Sequence, residues 1–372
     1  MGVQSYSGHV LNIEKKSNLE TVLVLQGGGS LGAYECGVYK TLSKHGIEFD
    51  IISGTSIGAI NASIIAASKS DDKAEVLEEF WLDLSENITP PIIDDKIRAI
   101  ISSTNAVIWG NPHAFMPLWF NPNWFSLSFN HPFMYDISPL GRTLKNYVDF
   151  DKLGRSGNPR LIVTSTDIQQ GKSTIFDSKY DKINETHILA SAGYPFYGIS
   201  WTVINGKYLW DGTLLSNTPL REVINASPKN DKKVYMVNLF PKKHEHLPKN
   251  MSEAWHRARD LMHVDKTDHN IMMSKIISRY LRIMREMHDI INHANLDEKM
   301  KERLEKLEPE FHKLACDRGA IIEDIIRIER SEETHFIFED ADFSLLTIKN
   351  LIRQGQEDTE RILREKNEIK KN

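Results

Sequence analysis

The chain has 372 residues, 40% hydrophobic and 26% charged, the balance of a globular protein with one large α/β domain plus an extension. A net charge of −5 with no long basic patch excludes a nucleic-acid binder. Two cysteines, Cys36 and Cys316, exclude a disulfide framework and point to a reducing compartment.

Residues 1–20 form a polar tail without the apolar core of a signal peptide. The apolar stretch Ile57 to Ala67 is too short to span a bilayer. A cytoplasmic protein is expected, with secretion by a signal-less route left open. Thr21-Val22-Leu23-Val24-Leu25 is a continuous apolar run, as a parallel strand covered on both faces requires. Gly27-Gly28-Gly29-Ser30-Leu31-Gly32 follows, then a helical pattern from Ala33 to Lys44 with Gly46 as its stop. Phe49 to Ser53 reads as a second short buried strand, and Ile57 to Ala67 as a small, apolar helix. This β-α-β-α opening predicts an α/β fold with a largely parallel sheet.

A further amphipathic helix is expected over Glu75 to Leu84. Residues 106–135 then change in character, with eight aromatic residues from Trp109 to Phe133 among several prolines. Such a stretch is not one regular helix. It reads either as an irregular insertion packed on the core or as an apolar lid or acyl channel over a site. Leu161 to Thr166 and Val234 to Leu239 read as strands. Between them, Ile199 to Trp210 has a hairpin signature with Asn205-Gly206 as its turn. Composition shifts near residue 250, where Asn250 to Glu253 fits a capping box. From there to about Ile328 the pattern is almost entirely helical, punctuated by Pro309 and Gly319. Thr334 to Phe338 reads as one more short strand and Ile348 to Lys370 as a last helix.

The chemistry concentrates at two strand-to-helix turns. Gly54-Thr55-Ser56-Ile57-Gly58 reads G-x-S-x-G, the turn that exposes a nucleophilic serine at a helix N-terminus. Glycines are needed where strand and helix pass too closely for a Cβ. Gly27-Gly28-Gly29 leaves backbone N–H groups uncovered at the first turn, suited to a phosphate or a developing oxyanion. Gly27-x-Gly29-x-x-Gly32 also matches a dinucleotide fingerprint, with Asp50 downstream. A ribose-binding acid belongs at the C-terminal end of the second strand. Asp50 lies at its start, and a nucleotide leaves Gly54–Gly58 unexplained.

In the hydrolase reading both turns fit, because parallel strands deliver both loops to one sheet edge. Ser56 then needs a base. A conventional triad would draw on Asp167 or Asp211 with His244 or His246; His187 precedes Asp211 and His45 precedes the serine. The alternative base is Asp211 itself, after a strand and beside Trp210, with burial raising its pKa. Asp211-Gly212 also fits an ordinary Asp-Gly turn. His256, His263 and His269 share no helical face at ligand spacing, and His288 and His293 are five apart rather than four, so no metal site is expected.

Three ordered motifs over residues 21–240 resemble those of patatin-like phospholipases. Gln26 to Gly32 resembles their oxyanion loop, Gly54 to Ala59 their elbow, and Asp211-Gly212-Thr213 with Asn217-Thr218-Pro219-Leu220 their Asp-Gly box and its sequel. Val163 to Gly171 and Ala190 to Tyr197 are similar to further family segments. The resemblance implies a Ser–Asp dyad, with Ser56 as nucleophile and Asp211 as base, and no required histidine. It implies oxyanion donors from Gly27, Gly28, Gly29 and Ile57, with Gly32, Gly54, Gly58 and Gly212 as motif glycines. Leu31 departs from the Arg or Lys of many members, and Thr213 from their usual small residue, which narrows the pocket.

The expected fold is a three-layer α/β/α sandwich around a mostly parallel sheet. A catalytic domain is expected over residues 21–249 and a mainly helical extension over 250–372. Asp340 to Ser344 and the helix after them resemble an extension found on some bacterial members. The expected activity is cofactor-free lipid acyl hydrolysis, of phospholipase A or lysophospholipase type, through an acyl-enzyme. Expected partners are the lipid substrate, a transient membrane surface and further copies through the C-terminal helices. A thioesterase or acyltransferase with the same dyad, and a partner-binding protein using those helices, are the alternatives.

Overall fold

Val22 to Leu25 and Val234 to Val237 are entirely or almost entirely buried, so the strands that carry them lie inside the molecule with helices on both faces. The computed structural model describes residues 19–89, 94–120, 133–243, 247–331, 339–366 and 368. Its central sheet comprises β1 (Leu19–Leu25), β2 (Ile51–Thr55), β5 (Arg160–Asp167), β6 (Lys172–Asp177), β7 (Thr202–Ile204), β8 (Lys207–Asp211), β9 (Asp231–Asn238) and β10 (Ile322–Glu329). The order is β10-β9-β1-β2-β5-β8-β7, with β6 also paired to β5. The five strands from β10 to β5 run parallel, while β6, β7 and β8 pair antiparallel. A two-stranded ladder, β3 (Met116–Pro117) with β4 (Tyr135–Asp136), stands apart.

Strand alternation divides the core between the two faces. Leu23, Leu25, Ile52, Val163 and Val237 belong to the larger cluster, and Val22, Val24, Ile51, Ile162 and Met236 to a smaller one. The helices are α1 (Gly32–Lys44), α2 (Ile57–Ala67), α3 (Lys73–Leu84), α4 (Asp95–Trp109), α5 (Ser138–Tyr147), α6 (Glu185–Ala192), α7 (Leu220–Ala226), α8 (Met251–His293), α9 (Glu298–Phe311) and α10 (Leu345–Glu365). Side chains of α1, α2 and α3 and of α10 fill the larger cluster, and Leu220 and Val223 of α7 the smaller one. The α/β/α sandwich expected from the sequence is therefore present.

Local expectations hold with small shifts of boundary. The second strand starts at Ile51 rather than Phe49. Asn205 and Gly206 have φ of 50° and 77°, the pair of positive values a two-residue hairpin turn requires. Asn250 Oδ1 accepts from the Glu253 N–H at 2.9 Å and caps α8.

The region after residue 250 is not helical throughout. Ile322–Glu329 forms β10 and extends the sheet beyond β9. Its isoleucines at 322, 325 and 326 mimic helical spacing, because a register shift between Ile322 and Asp324 breaks the alternation of the strand. Pro309 does not end a helix; α9 runs on through it to Phe311. The strand expected at Thr334 to Phe338 lies outside the described residues.

Candidate active site

Ser56 stands alone at the turn between β2 and α2, with φ 56° and ψ −125°. A positive φ is uncommon for a residue with a side chain and stores strain. The surroundings hold it there. The Ser56 N–H donates to Ser191 Oγ at 2.9 Å, and Ser56 O accepts from the Ala59 and Ile60 N–H groups. Strand and helix cross so closely that a Cβ on Gly54 would lie 2.1 Å from Gly58 O, and one on Gly58 would lie 2.5 Å from Leu25 O.

The glycine loop after β1 lies directly against this turn. A Cβ on Gly27 would sit 3.0 Å from Ser56 Cβ. Asn217 pins the loop from the other side: the Gly27 N–H donates to Asn217 Oδ1 at 3.0 Å, and Asn217 Nδ2 donates to Gly27 O at 3.2 Å. Gln26 ties the same loop to Thr218 and to the Leu239 N–H. Gly29, with φ 56°, opens a 3-10 turn that runs into α1.

Asp211 ends β8 opposite Ser165 of β5 and is fully buried. Its Oδ1 accepts from the Thr213 N–H at 2.8 Å, and its Oδ2 has no hydrogen bond of ordinary geometry. Burial pushes its carboxyl up to about 6, while the Ser56 hydroxyl and Thr213 pull it back. Asp211 is thus a buried carboxyl held above its ordinary range, with the Ser56 hydroxyl favouring its charged form.

Ser56, Asp211, Gly27, Gly28, Gly29 and Ile57 all line one cavity of about 600 Å³. The rest of the lining is largely apolar and includes Val107, Ala114, Phe115, Phe133 and Tyr135. Described residues of the aromatic insertion therefore line the cavity, and Ala106, Ala114 and Phe115 also pack on the core. Its middle, residues 121–132, lies outside the described residues. Thr213 lines the cavity as well.

Other sequence candidates fall elsewhere. Asp167 accepts from the Gln169 and Gln170 N–H groups at the end of β5. His45 pairs with Glu360, and His187 belongs to the capping box of α6. His244 and His246 lie outside the described residues. Asp50 accepts from the Thr21 N–H at the start of β2, at the strand end opposite the glycine loop. His256 lies 3.5 Å from Asp260, and His288 stacks on Phe311 beside Glu308.

Sequence reasoning gave no role to several residues now found at the cavity. Arg259 and His263 reach it from α8, and Asp340 from the turn before α10. Burial first, then the nearby Arg259 and Lys266 cations, push His263 down to about 3, so it is neutral at ordinary pH. Period-3.6 patterning marks Arg259 and His263 as ordinary helix residues, and no local spacing connects them or Asp340 with Ser56. Ser191 lies within Ala190 to Tyr197, the stretch noted only as similar to a family segment. Among the described residues no helix is long and apolar enough to cross a membrane.

Over 72 residues the chain is 35% identical to patatin-like phospholipase domain-containing protein 7 of Rattus norvegicus, covering 19% of this chain and 5% of that protein. Over 65 residues it is 43% identical to Lysophospholipase NTE1 of Debaryomyces hansenii, covering 17% and 4%. The matched stretches thus span about one twentieth of these much longer relatives. The crystal structure of VipD from Legionella pneumophila aligns with a TM-score of 0.38 at 13% identity, covering 93% of this chain and 67% of that one. A family model described as patatin-like phospholipase matches residues 23–224, and a second, described as patatin phospholipase, matches residues 261–372. With the glycine loop, the serine turn and the Asp-Gly box all inside the first match, the chain belongs to the patatin-like phospholipase family.

Proposed function

We propose that the chain hydrolyses acyl esters of lipids through Ser56 and Asp211. The observation that carries this reading is the fully buried Asp211, its Oδ2 without a hydrogen-bond partner, lining together with Ser56 one largely apolar cavity whose edge is the glycine loop. Asp211 takes the Ser56 proton as the alkoxide attacks the ester carbonyl. Asn217 already engages the Gly27 N–H, which supports a role for Gly27 in holding the loop rather than in binding the oxyanion. The donors proposed for the oxyanion are therefore the Gly28 and Gly29 N–H groups and that of Ile57, the first residue of α2, which has no acceptor within its helix. Each such donor is typically worth about 3–4 kcal/mol in the rate. Asp211 returns that proton to the departing alcohol, and the regenerated carboxylate then activates the water that releases the fatty acid from the acyl-enzyme.

A single apolar chamber of about 600 Å³ supports a substrate that buries one acyl chain at a time. The lysophospholipase name of one relative supports single-chain phospholipids as the first class to assay. The test is labelling with a fluorophosphonate, together with fatty-acid release from monoacyl and diacyl phospholipids. The wild type is expected to label and hydrolyse, Ser56→Ala to do neither, and Asp211→Asn to do both far more slowly. Hydrolysis retained in Ser56→Ala overturns the proposal.

A further inference from the structure

We propose that Arg259 is a positioning residue for the oxyanion loop, acting through the Glu339–Asp340 turn. The inference rests on the proposed function and deepens it, because it places part of the C-terminal third of the chain in service of the reaction. The loop touches that turn through backbone atoms. A Cβ on Gly29 would lie 2.2 Å from Asp340 O, and Ser30 Oγ donates to Glu339 O at 3.0 Å. Wherever residues 339 and 340 sit, Gly29 and Ser30 must follow.

A single 3-10 turn, Glu339–Ala341, has little stability of its own, so outside groups must hold it. Arg259 on α8 is the group that grips both of its side chains. One arm of the guanidinium, Nη2, lies 3.1 Å from Glu339 Oε1; the other, Nη1, lies 3.1 Å from Asp340 Oδ2. Side-chain exposure is 12% for Arg259 and 6% for each carboxylate, so these pairs are shielded from water. Arg330 joins Glu339 at 3.0 Å and donates to Leu239 O, which fixes the turn to the end of β9. The Tyr197 hydroxyl donates to Asp340 Oδ2 at 2.6 Å, which fixes it to the segment after α6. A planar, two-armed cation suits this bridge, whereas the point charge of lysine reaches one carboxylate at a time.

The competing role for Arg259, which lines the cavity, is to bind a lipid phosphate. Both Nη atoms already face carboxylates, and Arg259 and Arg330 together meet three of them: Asp260, Glu339 and Asp340. A guanidinium whose two arms already face carboxylates is poorly placed to take an anionic headgroup.

The experiment compares the wild type with Arg259→Lys and with Glu339→Gln, after thermal melts establish that each folds. Amide hydrogen exchange of the peptide containing Gly28 to Leu31 reads the brace directly, independent of any chemistry. Steady-state kinetics on a neutral aryl ester and on a monoacyl phospholipid read its consequence. Exchange in that peptide is expected to quicken in both variants. The value of kcat is expected to fall about tenfold or more on both esters, a partial loss of oxyanion stabilisation, with KM little changed. If Arg259→Lys does not fold, Ser30→Ala removes the loop-to-turn hydrogen bond alone and should give the same exchange result. Unaltered exchange and kcat overturn the proposal, as does a rise in KM confined to the phospholipid, which would make Arg259 a headgroup receptor. Activity surviving in Ser56→Ala would refute the Ser56 reaction instead, and the exchange result would still decide the brace.

Discussion

If Asp211 is the base proposed above, its burial sets stability against chemistry, and one substitution exposes the conflict. Burial raises its carboxyl from an ordinary value near 3.8 to about 6. The folded protein therefore holds this proton more tightly than the unfolded chain does. The sign follows: the contribution to stability is complete below about pH 4 and is lost as pH rises through about 6. Above that, the buried charge costs up to about 3 kcal/mol, since one pKa unit is about 1.4 kcal/mol. Asp211→Asn keeps an acceptor for the Thr213 N–H and removes the charge. Its melting temperature at pH 8 is expected to exceed that of the wild type by several degrees, with the gap closing at pH 4. Its turnover is expected to fall by about 10²–10⁴-fold, the usual worth of a general base. In the wild type, kcat/KM is expected to rise with pH and level off above about 6. A melting temperature that drops at pH 8 would mean that Asp211 is a structural ion rather than a strained base.

At the scale of elements, the serine turn depends on a neighbour that its own motif does not contain. The Ser56 N–H donates to Ser191 Oγ, near the end of α6. Ser191→Ala leaves that half-buried N–H without its acceptor, at a cost of about 1 kcal/mol, and lets the strained turn relax. A kcat reduced about tenfold is expected with the fold retained, and Ser191→Thr, which restores the hydroxyl, should recover part of it. The difference between what local spacing reveals and what it hides is physical. Ser56, the glycine loop and Asp211 are legible because each sits in a strand-end turn whose glycines and spacing follow from steric demands within a few residues. Ser191, Arg259 and Asp340 are not, since their contacts join segments far apart in the chain. β10 was hidden for a related reason: its register shift gives Ile322, Ile325 and Ile326 the spacing of a helix, and only pairing with β9 makes it a strand.

For the molecule as a whole, the sheet and its helical cover draw on both ends of the chain. β10 covers the outer edge of β9 along seven register pairs from Ile322 to Glu329. α10 lies against α1 at backbone distance: a Cβ on Gly37 would lie 1.9 Å from Ile352 O, and one on Gly355 would lie 2.1 Å from Tyr34 O. The Tyr34 hydroxyl adds a hydrogen bond to Asp358 at 3.1 Å. A chain truncated after Leu247 loses all of this. Ile348, Leu351, Ile352 and Leu363 of α10 are buried, and four such side chains contribute about 6–12 kcal/mol at about 1.5–3 kcal/mol each. That sum is comparable with the whole stability of a typical domain, about 5–15 kcal/mol. The truncated chain would also present the edge of β9 and the uncovered face of α1 to solvent, an invitation to aggregation. Residues 1–247 alone are therefore expected to be insoluble or to melt without a cooperative transition, and to take no fluorophosphonate label. Circular dichroism melts and limited proteolysis of the soluble fraction check this. A soluble, cooperatively melting fragment that still labels would show that the match over residues 23–224 marks a self-sufficient unit, with the C-terminal third as an accessory.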